Sequence, residues 1–135
     1  MARQNYAELD EEDFYGQDFE RDGAASIWVG LSEVPDESGE IDVLQDLCGV
    51  GFYDLDRQAS NCRGSKLVPL AELMSELSYA PSFMDAALKA AVSAGLDKAR
   101  WIIVQYDFAY DPARVKRQVA DDPVFLGVFD YSTAT

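Results

Sequence analysis

Histidine is absent from this chain of 135 residues. It is the usual general base at neutral pH, a common metal ligand and the usual partner of a serine or cysteine nucleophile. Without it, catalysis would need tuned carboxylates, a lysine or a cofactor. We therefore expect a protein that is not an enzyme and that carries neither a cofactor nor a metal ion.

Cysteine and long apolar runs are also scarce. Cys48 and Cys62 form no paired-cysteine motif, and we interpret both as reduced thiols in or near the core. No apolar run approaches the roughly 20 residues of a membrane-spanning helix. The N-terminus turns acidic without an apolar signal core, which argues against export. These absences predict a cytoplasmic protein without membrane contact.

Positive charge is scarce as well, because 11 basic residues accompany 25 acidic ones and the net charge is −14. All of this net charge lies in residues 1–56, where 16 acids accompany two arginines, whereas residues 57–135 contain nine of each sign. Such a charge disfavours direct contact with nucleic-acid phosphates or an anionic membrane. Because the negative charge is concentrated in one half of the chain, the sequence predicts an acidic face that attracts a basic protein partner.

Apolar periodicity predicts a single α+β (or α/β) domain over residues 25–135. Residues 1–24 are an acidic segment, for which three interpretations stay open: a disordered interaction segment, a poorly ordered tail without a binding role, or a short helix resting on the domain. The predicted order is β-α-β-α-α-β-(α)-β, with one central sheet of about four strands packed against helices. Strands are expected at 25–31, 50–56, 101–110 and 124–131, and helices at 41–48, from Pro69 onward and at 83–94. The last two strands are expected to pair antiparallel, because their connection is short for a parallel crossover.

Asp54 and Asp56 stand out at the end of the second predicted strand. Positions i and i+2 of a strand share a face, so both carboxylates would point the same way. Three interpretations stay open: a solvated or partner-facing pair, an internal pair with Arg57, Arg63 or Lys66, and a site for Mg²⁺ or Ca²⁺. General acid–base catalysis would require burial of one carboxylate beside an ionised neighbour.

A second candidate set lies at the end of the third predicted strand and consists of Tyr106, Asp107, Tyr110 and Asp111. Tyrosines give contact area at low entropic cost, and carboxylates steer basic partners toward a surface. The same residues also fit an aromatic core whose aspartates cap the strand end. The sequence favours neither interpretation.

Five separated blocks together resemble a known family: IWVG (27–30), GFYDLD (51–56), LMSELSYAPSF (73–83), IIVQYDFAYDP (102–112) and VFLGVFDY (124–131). In this order and spacing they resemble the immunity protein 22 family of bacterial polymorphic toxin systems. The matching positions are Trp28, Gly30, Tyr53, Asp54, Asp56, Ser78, Phe83, Tyr106, Tyr110 and Phe129. The resemblance implies a protein that neutralises a toxin encoded beside it.

The resemblance and the charge distribution lead to one expectation, a non-enzymatic immunity protein that binds a basic cognate toxin through an acidic face. A nuclease is one candidate toxin, since carboxylates can occupy a cleft built for phosphates. The expected partner-binding residues are Asp36, Glu37, Glu40, Asp42, Asp46, Asp54, Asp56, Tyr106 and Tyr110. The alternative is a small acidic adaptor or regulatory module that binds another basic protein.

Overall fold

A computed structural model describes residues 19–32, 43–51, 53–62, 66–115 and 122–132 of the chain. The strands are β1 (Glu20–Gly30), β2 (Gln58–Cys62), β3 (Val68–Pro69), β4 (Lys98–Ala99), β5 (Trp101–Phe108) and β6 (Val124–Asp130). The α-helices are α1 (Leu70–Met74) and α2 (Ala80–Ser93). A π-helix spans Val43–Leu47, and short 3-10 turns span Leu55–Arg57 and Pro112–Arg114.

The main sheet has four strands in the order β2-β5-β1-β6, and each strand is antiparallel to its neighbours. The strands β3 and β4 form a separate two-stranded sheet. An antiparallel sheet covered by helices confirms the α+β form of the predicted fold.

The predicted antiparallel pairing of the last two strands is wrong. Both β5 and β6 pair antiparallel with β1, so they run parallel to each other with β1 between them. Adjacent strands lie about 4.8 Å apart, so the connection from β5 to β6 must span roughly twice that distance to pass β1. Because the two strands are parallel, it must also run back along the length of the sheet to reach the start of β6. The 15 residues between β5 and β6 accomplish this crossover with only a 3-10 turn among their described residues.

The second strand also differs from the prediction. The structure places it at Gln58–Cys62, in a segment for which the sequence predicts neither a strand nor a helix, and not at residues 50–56. Val50 is fully buried and belongs to the apolar cluster that also contains Trp28. An edge strand buries little and needs no apolar repeat, which explains why the polar sequence QASNC escaped recognition.

Two apolar layers cover the two faces of the main sheet. Ala25, Ile27 and Val29 of β1 pack on one side with the apolar stripe of the helical region. That stripe includes Leu70, Leu73, Met74 and Leu77, which are all buried. On the other side, Trp28 packs against the layer that holds the π-helix. The helix predicted at 41–48 is therefore present in part, in π-helical form.

The pairing of β1 with β5 is irregular at one point. Glu20 lies opposite Phe108, but the next pair is Ala25 with Tyr106. Four residues of β1 therefore face a single residue of β5, Asp107. Such a bulge bends the strand and redirects side chains. The strand also begins at Glu20, five residues before the predicted start at position 25.

Candidate functional site

Asp54 and Asp56 were predicted to lie at the end of a strand. The structure places them instead on a short 3-10 turn that precedes β2. Asp54 is the N-cap of this turn, and its Oδ1 accepts the backbone N–H of Asp56 at 3.0 Å. The N–H of Arg57 donates to the carbonyl of Asp54 at 2.9 Å. Leu55 and Asp56, at the tip of the turn, are both exposed. We call residues 54–57 the capped turn.

A buried glutamine joins the capped turn to the centre of the sheet. Gln105 of β5 is only 1% exposed, and its Nε2 donates to the carbonyl of Asp54 at 2.7 Å. Its Oε1 accepts a hydrogen bond from Nε2 of Gln58 at 3.2 Å. A buried amide is costly without partners, and here both of its ends have one. The turn is therefore held in place by the core and not only by its own hydrogen bonds.

Asp107 links three separate parts of the chain at the bulge between β1 and β5. Its φ of 56° lies in the left-handed region, which aspartate tolerates better than most residues. Its Oδ1 accepts the N–H of Gly23 at 3.0 Å and the hydroxyl of Tyr131 at 2.7 Å. Its Oδ2 accepts from Nη1 of Arg57 at 2.6 Å. The carboxylate thus ties β1, the capped turn and the end of β6 together.

These partners determine the acidity of Asp107. Partial burial raises the pKa of its carboxyl group, but the hydrogen bonds from Tyr131 and Gly23 and the charge of Arg57 outweigh it. The net result is a pKa below the usual value for aspartate. Asp107 is therefore a carboxylate at neutral pH. Burial and the bond to Asp107 raise the pKa of Tyr131 to about 12, so this hydroxyl remains a donor.

A groove with a volume of about 340 Å³ lies beside the capped turn and the bulge. It is lined by Glu20, Asp22, Asp54, Arg57, Gln105, Tyr106, Asp107 and Phe108. Four of these residues carry carboxylates and one carries a guanidinium, so the lining has an excess of negative charge. We call this set of residues the acidic groove.

Arg57, the cation of the acidic groove, bridges two of its carboxylates. Besides its contact with Asp107, its Nε lies 3.5 Å from Oδ2 of Asp54. The Arg57 side chain is 56% exposed, so solvent screens both ion pairs and each contributes little to stability. Of the alternatives for Asp54, this geometry matches the internal pair with Arg57, whereas Asp56 is exposed to solvent.

Tyr106 and Tyr110 lie in the core, 6% and 5% exposed. The Tyr106 hydroxyl donates to the carbonyl of Ser78, and the Tyr110 hydroxyl donates to the carbonyl of Cys48 at 2.6 Å. Burial raises the pKa of Tyr110 to about 12 and raises that of Tyr106 well above its usual value. This placement matches the aromatic-core interpretation, because both side chains are almost entirely buried, although Tyr106 also contributes to the lining of the acidic groove.

The other five predicted binding acids lie between positions 36 and 46 of the sequence. Asp36, Glu37, Glu40 and Asp42 lie outside the described residues. Asp46 belongs to the π-helix Val43–Leu47, and its side chain is likewise outside the description. Of the predicted acids, the structure therefore places Asp54 in the acidic groove and Asp56 beside it.

Three of the four carboxylates of the acidic groove were absent from the expected binding set. Glu20 and Asp22 fall in the segment that the sequence assigns to an acidic tail, although they begin β1. Asp107 was only one of four residues in the Tyr/Asp set. Its bulged backbone comes from pairing between segments more than 80 residues apart, and no local pattern reports such pairing.

A second cavity of about 430 Å³ adjoins the first through Glu20. It is lined by Phe19, Glu20, Arg21, Ala109, Tyr110, Asp111, Arg114 and Val128. Its two acids are matched by two arginines, and the Arg114 guanidinium lies 5.5 Å from the centre of the Phe19 ring, as in a cation–π contact. We call it the mixed-charge cavity.

Within the described residues, no three His, Cys, Asp or Glu side chains are arranged to hold a metal ion. Cys48 is buried and Cys62 is exposed, and neither forms a disulfide.

In the part of the chain that the structure describes, no helix is both long and apolar enough to cross a membrane. Comparison of the chain with protein-family models, with curated proteins and with solved structures found no significant match.

Proposed function

We propose that this chain is a cytoplasmic, non-enzymatic immunity protein that binds and neutralises a cognate bacterial toxin domain. The partner surface is basic, and a nuclease domain is one candidate because its substrate cleft is positively charged. The five sequence blocks that resemble the immunity protein 22 family support the choice of a toxin as partner.

The observation that carries the proposal is the excess of carboxylates in the acidic groove. Glu20, Asp22 and Asp54 come from the acidic half of the chain, and Asp107 comes from the neutral half. Complementary charge raises the rate at which two proteins meet and selects against partners of the wrong sign. A groove of this charge suits lysine or arginine side chains of a partner.

The anchoring of the groove also supports protein binding. Gln105 holds the capped turn and Asp107 joins three elements, so the carboxylates are preorganised before the partner arrives. Preorganisation lowers the entropic cost of association. The buried tyrosines contribute to this rigidity through the bonds of their hydroxyl groups to backbone carbonyls.

Co-expression in bacteria tests the proposal. The C-terminal domain of the protein encoded immediately upstream is expressed with and without the full chain, and surviving colonies are counted. We expect killing by the upstream domain alone and rescue by co-expression. A harmless upstream domain, or killing without rescue, would refute the proposal.

A complex formed between the two purified proteins provides the second readout. An electrostatically steered association slows as salt rises, because the Debye length falls from about 10 Å at 0.1 M to about 3 Å at 1 M. We expect the association rate constant to fall steeply over this range. A rate constant independent of salt would contradict binding through the acidic groove, even if rescue occurs.

A further inference from the structure

Leu55, at the tip of the capped turn, is a large apolar side chain that is 66% exposed to solvent. The other exposed aliphatic side chains of this size in the described ranges are Leu31, Leu67 and Val92. Isolated exposed leucines are common and require no explanation. Leu55 differs from the others in what surrounds it and in what holds it.

Leu55 is an apolar residue surrounded by charged residues, which is the arrangement found at the centre and rim of protein interfaces. Asp54 and Asp56 flank it in sequence, and Asp54 and Arg57 of the same turn line the acidic groove. Stable interfaces place apolar contact area at the centre and polar or charged groups at the rim. The capped turn has this arrangement on a scale of four residues.

The turn that carries Leu55 is fixed by hydrogen bonds and not by burial of its own side chains. None of the residues Leu55–Arg57 is buried, so the turn gains no apolar stabilisation for itself. It is nevertheless fixed by the Asp54 cap and by the fully buried side chain of Gln105. A fixed, exposed leucine loses little backbone entropy when a partner covers it.

From this arrangement we infer that Leu55 is the apolar anchor of the partner interface and inserts into an apolar pocket of the basic partner. Lysine or arginine side chains around that pocket meet Asp54, Asp56 and the acidic groove. The inference rests on the proposed function and adds to it the point of contact and the shape of the complementary surface. The carboxylates control the rate of encounter, and the leucine controls the lifetime of the complex.

Surface plasmon resonance with the full chain distinguishes these roles. The probe is the immobilised C-terminal domain of the protein encoded immediately upstream. Leu55→Ala is compared with Leu67→Ala, a matched control because Leu67 is also an exposed leucine, at 52%. Urea unfolding of both variants checks that each retains the stability of the unmodified chain.

We expect Leu55→Ala to raise the dissociation rate constant about ten-fold or more, since burial of a leucine side chain contributes that much to binding. The association rate constant should change less than about two-fold, because no charge is altered. Leu67→Ala should match the unmodified chain, and Leu55→Met should recover most of the lost lifetime.

The outcomes separate this inference from the proposed function. If the unmodified chain binds but Leu55→Ala dissociates no faster than Leu67→Ala, Leu55 is not the anchor and the proposed function stands. If the unmodified chain does not bind the upstream domain, both fail together. A Leu55→Ala variant that loses affinity only through slower association would also overturn the inference.

Discussion

The acidic groove and the mixed-charge cavity are similar in volume and share Glu20, yet their charges differ. Four carboxylates and one guanidinium line the first, whereas two acids and two arginines line the second. Both contain a 3-10 turn capped by an aspartate, Asp54 in one and Asp111 in the other. The difference shows that an overall charge of −14 does not make every concave surface acidic. Local imbalance, and not net charge, distinguishes the candidate binding site.

The largest expected effect comes from reversing charge at the acidic groove. Asp54→Lys combined with Asp56→Lys should slow association with the proposed partner, the C-terminal domain encoded immediately upstream, about ten-fold or more at low salt. The matched control combines Asp111→Lys with Asp85→Lys, which changes net charge equally and removes the capping aspartate of the other 3-10 turn. Stopped-flow association measures both. Equal slowing by the two double variants would mean that only net charge matters.

The next effect concerns the anchoring of the capped turn. Gln105→Met removes the donor to the Asp54 carbonyl and the acceptor for Gln58, at a cost of about 1–3 kcal/mol in the free energy of unfolding. Urea denaturation measures this cost. Amide hydrogen exchange should accelerate at Asp56 and Arg57 but not at Ala113, in the turn of the mixed-charge cavity. Unchanged exchange at Asp56 would show that Gln105 does not hold the turn.

Asp107 predicts a smaller, pH-dependent effect. Its folded-state pKa lies below the value near 3.9 of an unfolded aspartate, so the ionised form stabilises the folded protein. This stabilisation is complete above the unfolded pKa and is lost as the pH falls through the folded pKa. Asp107→Asn, which tolerates the positive φ, should lower stability by about 1 kcal/mol at pH 7. The difference in the free energy of unfolding between the variant and the unmodified chain should shrink as the pH is lowered.

If the stability difference between Asp107→Asn and the unmodified chain stays constant from pH 7 to pH 2, ionisation of Asp107 is not its source. The conservative Tyr131→Phe variant serves as a control here. It removes one donor to Asp107 while leaving the contacts with Gly23 and Arg57 in place, so part of the pH dependence should remain.

The smallest expected effect is on stability at Arg57. Arg57→Gln removes two solvent-screened ion pairs and should change the free energy of unfolding by less than about 1 kcal/mol. Because the variant makes the acidic groove more negative, association with a basic partner should become faster. Thermal unfolding and stopped-flow association together test this. Slower association would show that Arg57 itself contacts the partner favourably.

The apolar elements of the fold were predictable from sequence, whereas the geometry of the groove was not. Ile27 and Val29 lie in a buried strand and Leu70 and Leu73 in an apolar stripe, because burial of such side chains leaves a periodic pattern. The edge strand β2 leaves no such pattern, and neither does the bulge at Asp107. Asp54 was recognised as a site candidate, but its hydrogen-bond partner Gln105 is 51 residues away, and Asp107, the other carboxylate that Arg57 contacts, is 50 residues from Arg57.

The central position of β1 has a consequence for how the protein folds. Among the residues that the structure describes, the strand partners of residues 20–30 are β5 and β6, which begin more than 70 residues later in the chain. On the ribosome, the first strand must therefore wait for both of its neighbours to be synthesised. Closing so long a loop is entropically costly, and pairing between distant segments is slow. We expect folding to begin with the locally connected helical region and the main sheet to form late, after the chain has emerged past β6.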